Sequence, residues 1–331
     1  MQLDNTRIAI RERGMIDTYD LTLHVIRAFA PRLIPALLLG ILPLVVLNEL
    51  LLGWMWEPQE PVLITLHSEF GALAYIGQVF QSTDTSRLGF DYLWLIIFQA
   101  PAATIFAESY LGSAVFKQER TLWESVRDVF SLSYRPSPTA PREMGPFWAF
   151  LVCQLLLRGT LVGMLLPLLV LFLGSGEIDY SLEVAIPLLL LLVVSAVRAF
   201  RPYINEIIVL EKNPLRSKSA PMTVGKRSGN LHNSAAGELF AQWLGSCVVA
   251  FLLWHIVFWS VFVVYMVMFG DNNAHGWVAL RVIRPFSLWV VVAFIGLARF
   301  LSYLDLRIRQ EGWEVELLIR AEAARLSEKL V

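Results

Sequence analysis

The chain has 331 residues, of which 56% are hydrophobic and only 17% charged, and its mean hydropathy is +0.58. A soluble domain has fewer apolar and more charged residues, so this composition indicates an integral membrane protein. The formal net charge of −1 excludes the overall basic field expected of a nucleic-acid-binding protein. We therefore expect an all-α membrane protein with no nucleic-acid partner.

The first 32 residues form the predicted N-terminal segment. Its opening, "MQLDNTRIAIRERGMIDTYD", is polar and lacks the short apolar core and cleavage site of a signal peptide. The apolar positions that follow recur at helical spacing: Ile16, Tyr19, Leu23, Ile26 and Ala30. This pattern predicts an amphipathic helix lying on the membrane surface before the first span.

Six apolar stretches approach or exceed the roughly 20 residues that a helix needs to cross a membrane. They are Leu33–Leu52, Tyr92–Leu111, Phe147–Leu173, Val184–Phe200, Leu239–Phe269 and Pro285–Leu301. We expect a bundle over 33–301, with cytoplasmic loops at 112–146 and 201–238. Segment 62–80 is apolar but broken by polar residues, so it is interpreted as interfacial, with a re-entrant element as the alternative.

The distribution of basic residues predicts the orientation. All but four of the 27 Lys and Arg lie in the N-terminal segment, the two cytoplasmic loops, the C-terminal segment or the helix ends beside them. The exceptions are Arg87, Arg158, Arg281 and Arg284. Because cytoplasmic loops carry the excess of Lys and Arg, both termini are expected to be cytoplasmic.

Three predicted helix ends share a pattern, namely "FAESYLGSAVFKQE", "AFRPYINEIIVLEK" and "RFLSYLDLRIRQEG". In each, a Phe precedes Tyr110, Tyr203 or Tyr303, and a Glu follows the Tyr eight or nine residues later. An ordinary interfacial Tyr followed by charges is the alternative explanation. We favour an internal repeat of an interfacial helix plus a two-span hairpin, used three times.

The segments before the third and fifth spans support that repeat. "TLWESVRDVF" has apolar residues at helical spacing, and Thr121 with Glu124 predicts a capping box. "APMTVGKRSGNLHNSAAGELF" is a weaker copy because its three glycines disfavour a helix.

The C-terminal segment, 302–331, is predicted to continue as an amphipathic helix over 304–330. Its apolar face comprises Ile308, Val315, Ile319, Leu326 and Leu330. This face either lies on the bundle and the lipid headgroups or docks a soluble protein partner.

The loop "IIVLEKNPLRSKSAPMTVGKRSGNLH" resembles a known family. Its Glu211, Arg227, Ser228 and Leu231 occupy positions similar to those in the membrane domain attached to some bacterial glycerophosphodiester phosphodiesterases. That domain also occurs as stand-alone, uncharacterised multi-pass proteins. The resemblance implies a six-span protein of the bacterial inner membrane and implies no particular activity.

Glu108 and Arg158 are the charges deepest inside the predicted spans. A charge at bilayer depth costs roughly 3 kcal/mol on insertion scales, so each should face protein or water and find a partner. We interpret the two residues as a structural ion pair, with a substrate or proton site as the alternative; Arg158 could also extend toward the cytoplasmic interface instead of pairing.

Catalytic chemistry finds no support in the sequence. The five histidines lack metal-ligand spacing, Cys153 and Cys247 lie within apolar runs, and no phosphate loop or nucleophile elbow is present. We expect no enzymatic activity, metal or cofactor. The basic loops are expected to set the topology or to bind anionic lipid headgroups.

These observations predict a scaffold or accessory subunit that presents its cytoplasmic helices to lipids or protein partners. A transporter or channel with a polar path near Glu108 and Arg158 is the alternative function.

Overall fold

The computed structural model describes residues 14–55, 83–115, 121–134, 143–158, 189, 192–196, 198–216, 222–269 and 278–311. Residues 159–173 of predicted span three and residues 184–188, 190, 191 and 197 of predicted span four lie outside the described residues. So do segment 62–80 and residues 312–331, which hold most of the predicted C-terminal helix.

The described part of the chain is almost entirely helical. Its α-helices are α1 Met15–Met55, α2 Thr83–Ala103, α3 Ile105–Val115, α4 Leu122–Val129, α5 Pro146–Val152, α6 Ile204–Val209, α7 Val224–His232, α8 Ala236–Phe269 and α9 Arg284–Glu311.

Short irregular elements connect some of these helices. A π-helical turn, Cys153–Leu157, continues α5, and another, Ala279–Ile283, leads into α9. A 3-10 turn, Asn233–Ala235, joins α7 to α8. Two-residue strands β1 (Ser133–Tyr134) and β2 (Glu143–Met144) pair antiparallel between α4 and α5.

Four helical stretches among the described residues are long and apolar enough to cross a membrane. They are Met15–Leu52, Tyr92–Val115, Val224–Phe269 and Arg281–Gln310. These stretches include predicted spans one, two, five and six. The prediction of a helical protein with several membrane-length apolar helices is confirmed.

The N-terminal region differs from the sequence prediction because α1 runs without a break from Met15 to Met55. Its 41 residues measure about 60 Å, twice the roughly 30 Å hydrocarbon core. Ile16 and Leu23, assigned to one apolar face, are exposed, whereas Thr18 and Thr22 are buried. These threonines fit among protein neighbours because each hydroxyl donates to the carbonyl four residues before it.

The second span contains a break at Thr104, between α2 and α3. Pro101 lies just before it and cannot donate the backbone hydrogen bond of a regular helix. Both α1 and α9 pack closely against this break through glycines. A Cβ at Gly40 would overlap the backbone of Ala103, and one at Gly296 would overlap the side chain of Thr104.

The largest buried cluster draws on α1, α3, α6 and α9, near the end of the bundle where α3 and α9 terminate. We call this the charged end. Helix α9 continues through the predicted boundary at residue 302, because Leu304, Leu306 and Ile308 are buried in the cluster. Its described residues after 302 are therefore part of the packed core rather than the start of a separate surface helix.

Candidate functional site: a buried charge cluster

A buried ion triad lies at the charged end and joins three helices that are far apart in sequence. Glu108 is in the first turn of α3, Glu206 is in the first turn of α6, and Arg299 is in α9. The first-turn positions place both carboxylates near helix N-termini, where the backbone dipoles favour negative charge. We call these three residues the triad.

Arg299 contacts both carboxylates directly. Its Nη2 donates to Glu108 Oε1 over 2.6 Å, and its Nε donates to Glu206 Oε1 over 2.8 Å. The hydroxyl of Thr104 also donates to Glu108 Oε1, over 2.6 Å. The hydroxyl at the helix break therefore positions the carboxylate of the next helical turn.

Both glutamate residues are 0% exposed. Their second oxygens, Glu108 Oε2 and Glu206 Oε2, have no hydrogen-bond partner among the described residues. A buried charged oxygen without a hydrogen-bond partner is energetically costly, so this site is chemically unusual.

The predicted ion pair between Glu108 and Arg158 was wrong. Arg158 Nη2 instead donates to the carbonyl oxygens of Arg198 (3.2 Å) and Arg201 (2.9 Å). The π-helical turn Cys153–Leu157 ends just before Arg158, whose side chain reaches carbonyl groups at and just after the helical residues 198 and 199. Arg299, which sequence reasoning treated as a basic helix end, takes the place of Arg158 beside Glu108.

A second polar cluster surrounds Glu211. Arg227 donates to both carboxylate oxygens through Nε (2.7 Å) and Nη2 (2.8 Å), and the hydroxyl of Tyr303 donates over 2.7 Å. Asn213 donates over 2.8 Å, and Arg307 lies 3.7 Å away. Burial alone raises the pKa of Glu211, but the Arg227 and Tyr303 hydrogen bonds and the Arg307 charge lower it below its ordinary value.

The structure brings together the four loop residues that carry the family resemblance. Glu211 and Arg227 form the ion pair just described, and Ser228 and Leu231 are buried on the same helix, α7. His232 follows on α7. Its Nε2 accepts from the backbone N–H of Tyr203, and its Nδ1 lies 2.7 Å from the carbonyl of Ser228. His232 thus links α7 to the start of α6.

All three tyrosines of the proposed repeat are buried in the core cluster: Tyr110, Tyr203 and Tyr303. The rings of Tyr203 and Tyr303 lie 5.8 Å apart between centroids. The site therefore uses Tyr303 as a donor to Glu211 and the ring of Tyr203 as a packing surface.

Further ion pairs attach outlying elements to the charged end. Lys212 has a left-handed backbone conformation (φ 54°), and its Nζ donates to Asp128 at the end of α4 over 2.6 Å. Arg309 in α9 contacts Glu238 in α8 over 2.6 Å. The predicted capping box of α4, formed by Thr121 and Glu124, is confirmed.

A polar link joins α1 to α2 toward the opposite end of the bundle. Gln99 donates to Asn48 over 2.6 Å, and the hydroxyl of Tyr92 donates to Glu49. Sequence reasoning could not find these pairs, because side chains 51 and 43 residues apart become partners only when the helices pack.

An exposed apolar surface extends over α4, the β1–β2 pair and the start of α5. Its members are Trp123, Phe130, Leu132, Met144 and Trp148. Trp123 and Leu132 are 74% and 76% exposed. We call this surface the hairpin patch.

Among the described residues, no group of three or more His, Cys, Asp or Glu side chains is arranged to hold a metal ion. No family model, curated protein or solved structure matches the chain.

Proposed function

We propose that the chain is a non-catalytic multi-pass protein of the bacterial inner membrane that acts as a scaffold or accessory subunit. In this proposal six spans form three hairpins, both termini are cytoplasmic, and the charged end faces the cytoplasm. The distribution of Lys and Arg supports the orientation, since all but four lie in segments assigned to that side.

The observation that carries the proposal is the way polar groups are used at the charged end. The deepest acids, Glu108 and Glu206, both bind Arg299 of the same chain. The Lys212–Asp128 pair and the Arg227–Glu211 pair fix α4 and α7 to the bundle. Such internal links favour a rigid platform over a route for a solute.

The hairpin patch supports contact with lipids or a protein. Single exposed apolar residues are ordinary, but several large ones on successive elements, among them Trp123 and Leu132, favour an interaction site. Tryptophan is also enriched at membrane interfaces. In our proposal the patch meets the lipid headgroups beside the charged end or a protein bound there.

The test is affinity purification from native membranes in a gentle detergent, with mass spectrometry of the co-purified proteins and lipids. Three forms are compared: the intact chain, a chain ending at Glu311, and a Trp123→Ser, Leu132→Ser variant. Truncation after Glu311 spares Leu304 and Ile308, whose removal would disrupt the core. We expect a stoichiometric protein or an enriched anionic lipid with the intact chain and its loss from at least one altered form.

A matched control replaces Val264 and Val267 by Ser, because these residues are also exposed but lie on α8, away from the patch. This control should retain the bound component. Two results together would contradict the scaffold role and favour transport: all forms purify without a partner or enriched lipid, and Glu108→Gln abolishes a solute flux at unchanged abundance.

A further inference from the structure

The two arginine contacts at the charged end use the same side-chain atoms in different ways. Arg227 directs its Nε and Nη2 at the two oxygens of one carboxylate, Glu211. Arg299 directs the same two nitrogens at two different carboxylates, Glu108 and Glu206. Because Nε and Nη2 form one rigid edge of the guanidinium group, the two carboxylates must lie side by side.

Two ionised carboxylates on one guanidinium would hold two negative charges side by side, on two glutamate residues that are both 0% exposed. Like charges at this range oppose ionisation of both groups, so such pairs commonly share a single proton. The two Oε2 atoms without hydrogen-bond partners support the same conclusion. Neither receives a hydrogen bond from a described residue that would stabilise a full negative charge there.

The surrounding charges distinguish the two acids. Glu206 interacts electrostatically with Arg158 as well as with Arg299, and Tyr203 also faces it. Arg198 lies near Arg158 and Arg299, with its guanidinium 4.8 Å from the ring centroid of Phe98. Apart from Arg299, the described neighbours that act on Glu108 are Thr104 and Glu206, neither of which is a cation.

We propose that the triad is a proton-binding site that holds one proton, carried by Oε2 of Glu108, while Glu206 pairs with Arg299. Oε1 of Glu108 then serves as the carbonyl oxygen that accepts from Thr104 and Arg299. The N-terminus of α3 favours the charged form of Glu108, but no donor from it reaches Oε2. The site goes beyond the scaffold role and does not depend on it.

Infrared spectroscopy of the intact protein in lipid nanodiscs at neutral pH tests this site. A protonated carboxylic acid has a carbonyl stretching band that is separate from the carboxylate bands and shifts in D2O. We expect one such band in the unaltered protein and its loss in Glu108→Gln. The control Glu211→Gln should keep the band, because Glu211 is paired with its own arginine.

A second variant keeps the proposal testable if Glu108→Gln does not fold. Glu108→Asp retains a carboxyl group in an altered environment, so the band should shift rather than vanish. Absence of any carboxylic-acid band from the unaltered protein would overturn the proposal, as would a band unchanged in both Glu108 variants. Loss of the band when sodium replaces choline at constant pH would also overturn it, by showing a site occupied by a metal cation.

Discussion

The stretch Tyr92–Val115 and helix α8 show opposite relations between apolar sequence and burial. α8 belongs to the most apolar of the four candidate spans, yet only 11% of the residues in its apolar centre are buried. Tyr92–Val115 is the least apolar of the four, and 78% of its corresponding residues are buried. Of these two regions, the more apolar one faces outward and the more polar one packs against other helices.

The physical reason is the solvent that a membrane protein meets. Lipid chains accept apolar side chains as readily as a protein interior does, so apolar residues gain little from facing inward. Polar groups must find partners inside the protein because the hydrocarbon supplies none. Gln99 and Glu108 on Tyr92–Val115 have such partners, whereas α8 presents residues such as Phe251 and Val264 outward.

The largest expected loss of stability follows from a change in the buried triad. Arg299→Met should lower the free energy of unfolding by about 3–5 kcal/mol, since it removes the cation that both Glu108 and Glu206 contact. Denaturant titration in detergent micelles measures the loss. The control Lys212→Met should cost under about 1 kcal/mol because its partner Asp128 is 31% exposed. Equal losses for the two variants would contradict the special role of the triad.

A smaller effect is expected where α1 crosses the break in the second span. Gly40→Ala should cost about 1–3 kcal/mol, because the added methyl group overlaps the backbone of Ala103 and neither helix can move freely. Thermal unfolding in detergent would detect the loss. Gly237→Ala provides the control, since a Cβ there meets nothing within 4 Å. An unchanged unfolding temperature for Gly40→Ala would refute the close approach.

Acid should weaken the Glu211 cluster. The pKa of Glu211 is lower in the folded protein than its ordinary value of 4.5. The contribution of this carboxylate to the free energy of unfolding is therefore complete above that pH. It is lost as the pH falls through the lowered pKa, when the carboxyl group can no longer pair with Arg227. Unfolding measured from neutral to acidic pH should therefore show a steeper decline for the unaltered protein than for Glu211→Gln. Parallel profiles would contradict this assignment.

The smallest effect is expected on the outward face of α8. Val264→Ala should change the free energy of unfolding by less than about 0.5 kcal/mol, because the side chain is exposed and its loss opens no cavity in the protein. The same denaturant titration applies. A loss as large as that of Gly40→Ala would show that this face of α8 is covered by protein. It would contradict the contrast between an outward-facing α8 and a buried Tyr92–Val115.

Local sequence patterns predicted the features that depend on neighbouring residues. The apolar runs identified the four membrane-length helices of the described region, and Thr121 with Glu124 predicted the capping box of α4. These features follow from helix length and from hydrogen bonds within one turn.

Features that depend on helix packing were not predictable in this way. Arg299 and Glu108 are 191 residues apart, and nothing in either local pattern favours this partner over Arg158. The buried face of α1 was also missed. Periodicity identified the apolar residues Ile16 and Leu23, but in a membrane protein such residues can face outward while Thr18 and Thr22 pack inside.

A double-mutant cycle is the most direct test of the claim that Arg299, and not Arg158, is the partner of Glu108. The unfolding free energies of Glu108→Ala, Arg299→Met and the double variant give the coupling between these residues, because alanine removes the oxygen that accepts from Arg299. The same cycle is measured for Glu108 and Arg158. We predict a coupling above about 1 kcal/mol for Glu108 with Arg299 and near zero for Glu108 with Arg158. The reverse pattern would contradict the triad and restore the ion pair expected from the sequence.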